Sequence, residues 1–329
     1  MSERLTPLEQ EILDRISQVG PIPFSEFMEL ALYHPEFGYY TRPHADPFGR
    51  SGDFFTASQM QPVFGRVIAG AIGDLYRGLG KPADFQVVEL GAGRQELRSE
   101  LEGFHYTPVD LSHRSGQRKL PERFSGVVFS NEFFDALPVD LAVRHGRSWI
   151  ERRVAQANDR FVFVDGGSVD ARIADYLERY THPEQRIAEI HLRSLDWMHR
   201  IVERLENGFV LTIDYGYRSS ELVRFPEGTL MSYCRHRASA EVLSDPGQRD
   251  ITSHVPFDVL EIAGTQSGLE TVQFETLGQW LIRQGDHRLK QSIEGGHELQ
   301  LKTLLFGMGE GFRVLLQRKA GSHSLENGA

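Results

Sequence analysis

The sequence predicts an α/β fold: a Rossmann-like sheet with helices on both faces, an N-terminal helical extension, and a helical and hairpin insertion. Three observations predict it. Apolar runs at 85–90, 106–109 and 126–130 alternate with helical stretches, the βαβ rhythm of a parallel sheet. Gly91 and Gly93 directly follow the first run, where a strand must turn sharply. Asp110 directly follows the second run, at the carboxyl end of a second parallel strand.

The elements follow in order. Leu8, Ile12, Leu13 and Ile16 mark one face of a helix over 7–19, which Pro21 and Pro23 stop. Ser25 is expected to cap a second helix that runs through Phe27, Met28 and Leu32 and ends before His34-Pro35. An aromatic, Gly-rich loop spans Phe37 to Phe55, and helical character resumes from Pro62 to Leu79. After the three strands, residues 149–154 and 160–164 read as a hairpin-like insertion. Ile187, Ile190, Leu195, Met198, Ile201, Val202 and Leu205 predict one long amphipathic helix, closed near Asn207-Gly208. A strand over 209–213 returns and ends at Asp214-Tyr215-Gly216. The expected organisation is an N-terminal helical extension with a cofactor-covering loop over 1–80, an α/β core over 81–320 with an insertion around 145–207, and a disordered tail over 321–329.

Composition narrows the function classes. A formal net charge of -10 argues against a surface that tracks nucleic-acid phosphates, since such surfaces are built from Lys and Arg. A single cysteine, Cys234, excludes an intramolecular disulfide and a cysteine-rich zinc site. No pair of histidines has metal-ligand spacing on a helix, so no metal is expected. No apolar window is long enough to span a membrane, and the first residues lack a signal or transit character. A cytoplasmic protein is expected.

Glu89, Gly91, Gly93 and Asp110 together form a candidate cradle for a nucleoside cofactor, with Asp110 directed at ribose hydroxyls. The charge of the cradle discriminates among cofactors. A dinucleotide site needs a small residue three positions after Gly93, but Glu96 stands there. A carboxylate against a pyrophosphate is repelled by about 1 to 4 kcal/mol per charge pair at about 4 Å. S-adenosylmethionine carries no phosphate and has a cationic methionine end, which Glu89 can meet while Asp110 holds the ribose.

A second constellation follows the third strand. Asn131, Glu132 and Asp135 lie at the ligand edge of such a sheet, and a helical turn would put both carboxylates on nearly the same side. The same residues also serve as ordinary helix caps. An arginine acceptor gives the acids a specific use. Its guanidinium stays protonated at neutral pH, and paired carboxylates can clamp it and take up the proton released on transfer. Asp214 can complete an acidic rim or cap the next turn, and His236 and His254 are candidate general bases.

Taken together, several segments resemble the MidA family of S-adenosylmethionine-dependent methyltransferases. They include Leu32-Tyr33-His34-Pro35-Glu36-Phe37-Gly38-Tyr39-Tyr40, Gly52-Asp53-Phe54-Phe55-Thr56, Glu89-Leu90-Gly91-Ala92-Gly93 and Asn131-Glu132-Phe133-Phe134-Asp135-Ala136-Leu137-Pro138. Ile213-Asp214-Tyr215-Gly216-Tyr217, Gly228-Thr229-Leu230 and Asp250-Ile251-Thr252 extend the similarity over nearly the whole chain. The resemblance implies a class I methyltransferase fold and S-adenosyl-L-methionine contacts at Gly52, Asp53, Glu89, Gly91, Gly93 and Asp110. It places the acceptor near Asn131, Glu132 and Asp135. A mitochondrial member is a protein-arginine methyltransferase that assists respiratory complex I assembly, so a protein partner is implied, with a complex I subunit as a candidate. Gln95 stands where the family usually has glycine, and the connection from Gly93 to Asp110 is short. These features keep open a non-catalytic assembly module with the same fold. A small-molecule methyltransferase with the same cofactor site is a third reading.

Overall fold

The computed structural model describes residues 5–42, 62–111, 119–234, 237–284 and 296–321. Helix α1 (Pro7–Val19) starts at a capping box. Thr6 Oγ1 accepts from the Glu9 amide at 3.2 Å, and Glu9 Oε2 accepts from the Thr6 amide at 2.7 Å. Strand β1 (Ile22–Pro23) leads into α2 (Phe24–Tyr33). Ser25 does not cap α2. Pro23 holds the cap position, and the Ser25 hydroxyl donates to Asp140 Oδ1. Helix α3 (Val63–Gly78) has Pro62 and Leu79 as its two caps. Strands β2 (Phe85–Leu90), β3 (His105–Val109) and β4 (Phe124–Asn131) follow.

Next come β5 (Asp140–His145), β6 (Ser148–Ala157), β7 (Arg160–Ser168), α4 (Ala171–Tyr180), β8 (Ile187–Ile190), α5 (Leu192–Arg204) and β9 (Leu205–Tyr217). The long helix expected from Ile187 to Leu205 is therefore divided. A short apolar run fits a strand as well as a helix, and pairing decides it: Ile187 to Ile190 lie antiparallel to Val143 to Asp140 of β5. Asn207 and Gly208 lie inside β9 and close no helix. The chain ends with β10 (Met231–Cys234), β11 (Arg237–Ser239), β12 (Asp250–Thr252), β13 (Val255–Pro256), α6 (Phe257–Gln266), β14 (Glu270–Thr276), α7 (Leu277–Arg283) and β15 (Phe312–Lys319). Beyond Gly321, the expected tail lies outside the described residues.

The chain forms two compact units. The first comprises Thr56–Asp135, Leu195–Gly216 and Val255–Ala329. Its sheet has the order β14-β15-β9-β4-β2-β3, with β13 also paired to β9. Strands β3, β2, β4 and β9 are parallel, and β15 runs antiparallel between β9 and β14. Parallel strands buried on both faces read as continuous apolar runs, which is why Val87, Val88, Val127, Val128 and Phe129 sit deep in the core. From β2 the chain goes to β3 on one side and returns to β4 on the other. The topological switch, where ligands settle in such sheets, is thus at the carboxyl end of β2. Helix α3 buries Val67, Ile68 and Ile72 in the same cluster as Val87, Val127 and Leu211. The connection from β2 to β3 is too short for a crossover helix and forms one 3-10 turn (Arg98–Leu101), with Leu97 and Leu101 buried in that cluster.

Two glycines set the spacing of this sheet. Gly126 and Gly208 are register partners across β4 and β9, with φ of 147° and 149°. A Cβ on Gly126 would collide with the Gln86 carbonyl of β2, and one on Gly208 with the Gly126 carbonyl. Only glycine permits both the backbone conformation and the close approach.

The second unit comprises Met1–Phe55, Ala136–Ser194 and Tyr217–His254. Its larger sheet has the order β1-β6-β5-β8 with β7 on β6, and the expected hairpin is the β6–β7 pair closed at Ala157 and Arg160. Leu8 and Ile12 of α1, and Phe24, Phe27 and Met28 of α2, share a core with Ile22, Leu141 and Val154. A smaller sheet, β11-β10-β12, belongs to the same unit. His191 is fully buried here, and among the described residues neither ring nitrogen has a hydrogen-bond partner. Burial holds its pKa down to about 3, so the ring stays neutral.

Two outcomes follow. Gly126→Ala destabilises the chain by about 3 kcal/mol, read from urea unfolding at unchanged cooperativity. For His191, the unfolded ring titrates near 6.5 and the folded one near 3, so the unfolded state binds the extra proton between those values. Stability therefore falls as pH drops through this window, and His191→Leu shows a shallower loss between pH values of about 7 and 4.5 in the same assay.

Candidate active site

The turn after β2 is built from left-handed backbone at Gly91 (φ 68°), Gly93 (φ 47°) and Gln95 (φ 57°). The Gly91 amide donates to the Val109 carbonyl at 2.9 Å, tying the turn to the end of β3. Asp110 Oδ2 accepts from the Gly93 amide at 2.7 Å, so the acid expected at the ribose also braces the glycine turn. Gln95 is accommodated: its amide donates to the Ala92 carbonyl at 2.6 Å, and its Oε1 accepts from Arg98 at 2.8 Å. The left-handed backbone at a non-glycine residue costs about 1 kcal/mol. Glu89, at the penultimate position of β2, is buried and accepts from the Tyr106 hydroxyl. Burial pushes its pKa up to about 8, with the Glu96 and Asp110 charges adding to the rise and the Tyr106 hydrogen bond opposing it.

The residues expected on the acceptor side, Asn131, Glu132 and Asp135, belong to the same unit, after the carboxyl end of β4 and beside that of β9. They do not form the expected helical turn. Residues 131–135 instead leave the sheet irregularly and fold around one buried carboxylate. Asp214 Oδ2 accepts from the amides of Phe133 (3.2 Å), Phe134 (3.0 Å) and Asp135 (3.4 Å), while Oδ1 accepts from Tyr215 at 2.9 Å. Asp214 is therefore the seat of this loop rather than part of an exposed acidic rim. Burial and the charges of Asp135 and Glu132 raise its pKa, and the amide donations pull it back. Glu132 has φ 49°, its amide donates to the Ile213 carbonyl at 3.0 Å, and Asn131 Nδ2 donates to its Oε1 at 3.1 Å. Strained backbone of this kind persists where its surroundings hold it, and it gathers at functional sites.

Phe133 joins the two halves. Its ring stands edge-on to Trp197 of α5 with centroids 5.2 Å apart, and a Cβ on Gly91 would come within 3.1 Å of its Cδ2. Gly91 is thus constrained by the loop of residues 131–135 as well as by its turn. The contact between Phe133 and Gly91, the packing of Trp197 and the hydroxyl of Tyr106 were absent from the sequence reading. Only the Tyr106 pairing had a signal: once β2 and β3 are aligned, Tyr106 and Glu89 fall on the same face.

The structure thus brings Glu89, Gly91, Gly93, Asp110, Asn131, Glu132 and Asp135 together in the first unit. Gly52, Asp53 and His236 lie outside the described residues. His254 belongs to the second unit, where its amide donates to Thr229 Oγ1 at 2.8 Å and its ring meets Phe225 edge-on. Burial, and then the Arg224 charge, lower its pKa to about 4. Among the described residues no group of three or more His, Cys, Asp or Glu is placed to hold a metal ion, and no helix is long and apolar enough to cross a membrane. A glycine turn bounded by two buried carboxylates fits a cofactor that carries a ribose and a positive charge and no phosphate.

Comparison with known proteins accords with this geometry. A family model described as S-adenosyl-L-methionine-dependent methyltransferase matches residues 98–275. A Burkholderia thailandensis protein crystallised with S-adenosyl-homocysteine is 30% identical, covers 95% of this chain and 92% of its own, and superposes with a TM-score of 0.86. The Drosophila melanogaster protein arginine methyltransferase NDUFAF7 homolog is 27% identical over 87% of this chain and 77% of its own. The Mus musculus protein arginine methyltransferase NDUFAF7 is 24% identical over 99% and 88%. Both of these relatives are mitochondrial by name, which overturns the expected cytoplasmic location.

The packing of Phe133 against Gly91 yields one outcome. Gly91→Val weakens cofactor binding at least about tenfold by titration calorimetry, since the new side chain meets Phe133 and the left-handed backbone disfavours a β-branched residue. Phe133→Ala in the same chain recovers part of that loss.

Proposed function

Because the chain belongs to the S-adenosyl-L-methionine-dependent methyltransferase family and has its class I fold, we propose that it methylates a protein arginine side chain at the loop of residues 131–135. One observation carries this reading: Asp214 folds the loop so that Glu132 and Asp135, two acids close to its buried carboxylate, lie in the same unit as the glycine turn. The curated relatives named as protein arginine methyltransferases support the choice of acceptor, and the family resemblance supplies a respiratory complex I subunit as the first protein to test.

Bound S-adenosylmethionine supplies a methyl group on a positively charged sulfur. The cofactor is assigned to the Gly91–Gly93 turn, with Asp110 at the ribose and Glu89 toward the cationic methionine end. An arginine remains charged at neutral pH, so its guanidinium must be oriented and relieved of a proton during transfer. Glu132 is assigned to grip it through paired hydrogen bonds, with Asp135 as the second acid and Asn131 holding Glu132 in place. A carboxylate then takes the proton.

Glu132→Gln keeps the size and the Asn131 contact while removing the charge. Transfer of labelled methyl groups to an arginine-containing acceptor falls by at least about 100-fold, while cofactor affinity stays within about twofold. Full activity in this variant would remove Glu132 from the proposed role, and labelling that persists when the acceptor arginines are changed to lysine would refute the choice of acceptor.

A further inference from the structure

We propose that Tyr106 is a positioning residue for the cofactor, its hydroxyl fixing the buried Glu89 carboxylate so that this negative charge meets the cationic methionine end. The inference rests on the assignment of the cofactor to the Gly91 turn. In the β2–β3 register, Val87 lies opposite Tyr106 and Glu89 opposite Pro108, so the Glu89 and Tyr106 side chains share one face of the sheet. The Tyr106 ring packs against the hydrophobic core, and its hydroxyl donates to Glu89 Oε2. Core packing thereby holds the donor, and the donor holds the carboxylate.

Among the described residues, no positive charge is paired with Glu89. It is only 6% exposed, and among the described residues no Lys, Arg or His forms a salt bridge with it. The ionisable groups acting on it are Tyr106 of β3, Asp110 at the end of β3 and Glu96 from the turn after β2, while Arg98 acts on Tyr106 from the 3-10 turn. A buried carboxylate among other acids, with a phenol as its donor among the described residues, is costly to ionise, and a cationic ligand offsets that cost.

Two consequences can be measured. Burial holds Glu89 largely protonated at neutral pH, with a pKa near 8, so binding a cation drives the proton off and affinity rises with pH through that region. Tyr106 donates to the ionised form. Removing the hydroxyl raises the pKa further and moves the affinity profile to higher pH by about one unit.

The test is calorimetric titration of the full chain with S-adenosylmethionine from about pH 6.5 to 9, in two buffers of different ionisation enthalpy. Wild type, Tyr106→Phe and Glu89→Gln are compared, with circular dichroism to verify the fold. Wild type releases a proton on binding near neutral pH. In Glu89→Gln the release shrinks to whatever the cofactor itself contributes, and in Tyr106→Phe the profile shifts upward. An affinity loss in Tyr106→Phe that is equal at every pH, or no change at all, overturns the positioning role. Unchanged proton release in Glu89→Gln also overturns the inference. Absence of binding by folded wild-type protein instead refutes the cofactor assignment, and this inference falls with it.

Discussion

The loop of residues 131–135 depends on one buried carboxylate accepting consecutive backbone amides. Carrying Asp214 into the interior costs several kcal/mol, and the amides of Phe133, Phe134, Asp135 and Tyr215 offset that cost by satisfying its lone pairs. The anchor bends the chain away from the direction of β4 as soon as Asn131 has paired with Ile213 of β9. Glu132 is forced into left-handed backbone at the bend. Phe133 is turned toward Trp197 and Gly91 by the same bend. Three features that look separate in the sequence, namely an acid pair, an aromatic and a glycine, therefore share one cause.

The chemistry of the site follows from how its carboxyl groups gather. Glu89, Asp110, Glu132, Asp135 and Asp214 all occupy the carboxyl ends of strands in one unit, and all but Glu132 are buried. Such a set repels a pyrophosphate and favours cations. A positively charged methyl donor and a guanidinium acceptor both meet that demand. The raised pKa values of Glu89 and Asp214 are the same fact seen from the protein's side, since each carboxyl is held where ionisation is unfavourable until hydrogen bonds or a positive charge compensate it.

Several family motifs in the second unit prove to be buried polar scaffolding. Glu189, fully enclosed in the second unit, accepts from the Thr229 amide, the Thr229 hydroxyl and the Leu230 amide, and Thr229 Oγ1 in turn receives the His254 amide. Asp250 Oδ1 accepts from the Tyr40 hydroxyl at 2.8 Å. Each pairing links segments far apart in the chain, and leaving any of these groups unpartnered in the core would cost about 1 to 3 kcal/mol. Gly228-Thr229-Leu230 and Asp250 therefore hold the second unit's loops together.

The sequence by itself determined the strands at 85–90, 106–109 and 126–130, the glycine turn that follows the first of them, the hairpin and the acidic character of the ligand edge, because each is written in neighbouring residues or in a short period. Local pattern failed where two structures share it. Ile187 to Ile190 continue a helical stripe and became a strand only by pairing with β5, and Ser25 has the chemistry of a cap but found Asp140 instead. Tertiary structure alone decided that Asp214 seats the loop, that Phe133 limits Gly91, and that Tyr106 holds Glu89. Those contacts join residues on different strands and turns, and their energies depend on burial and on hydrogen-bond geometry, which exist only after the sheet has assembled.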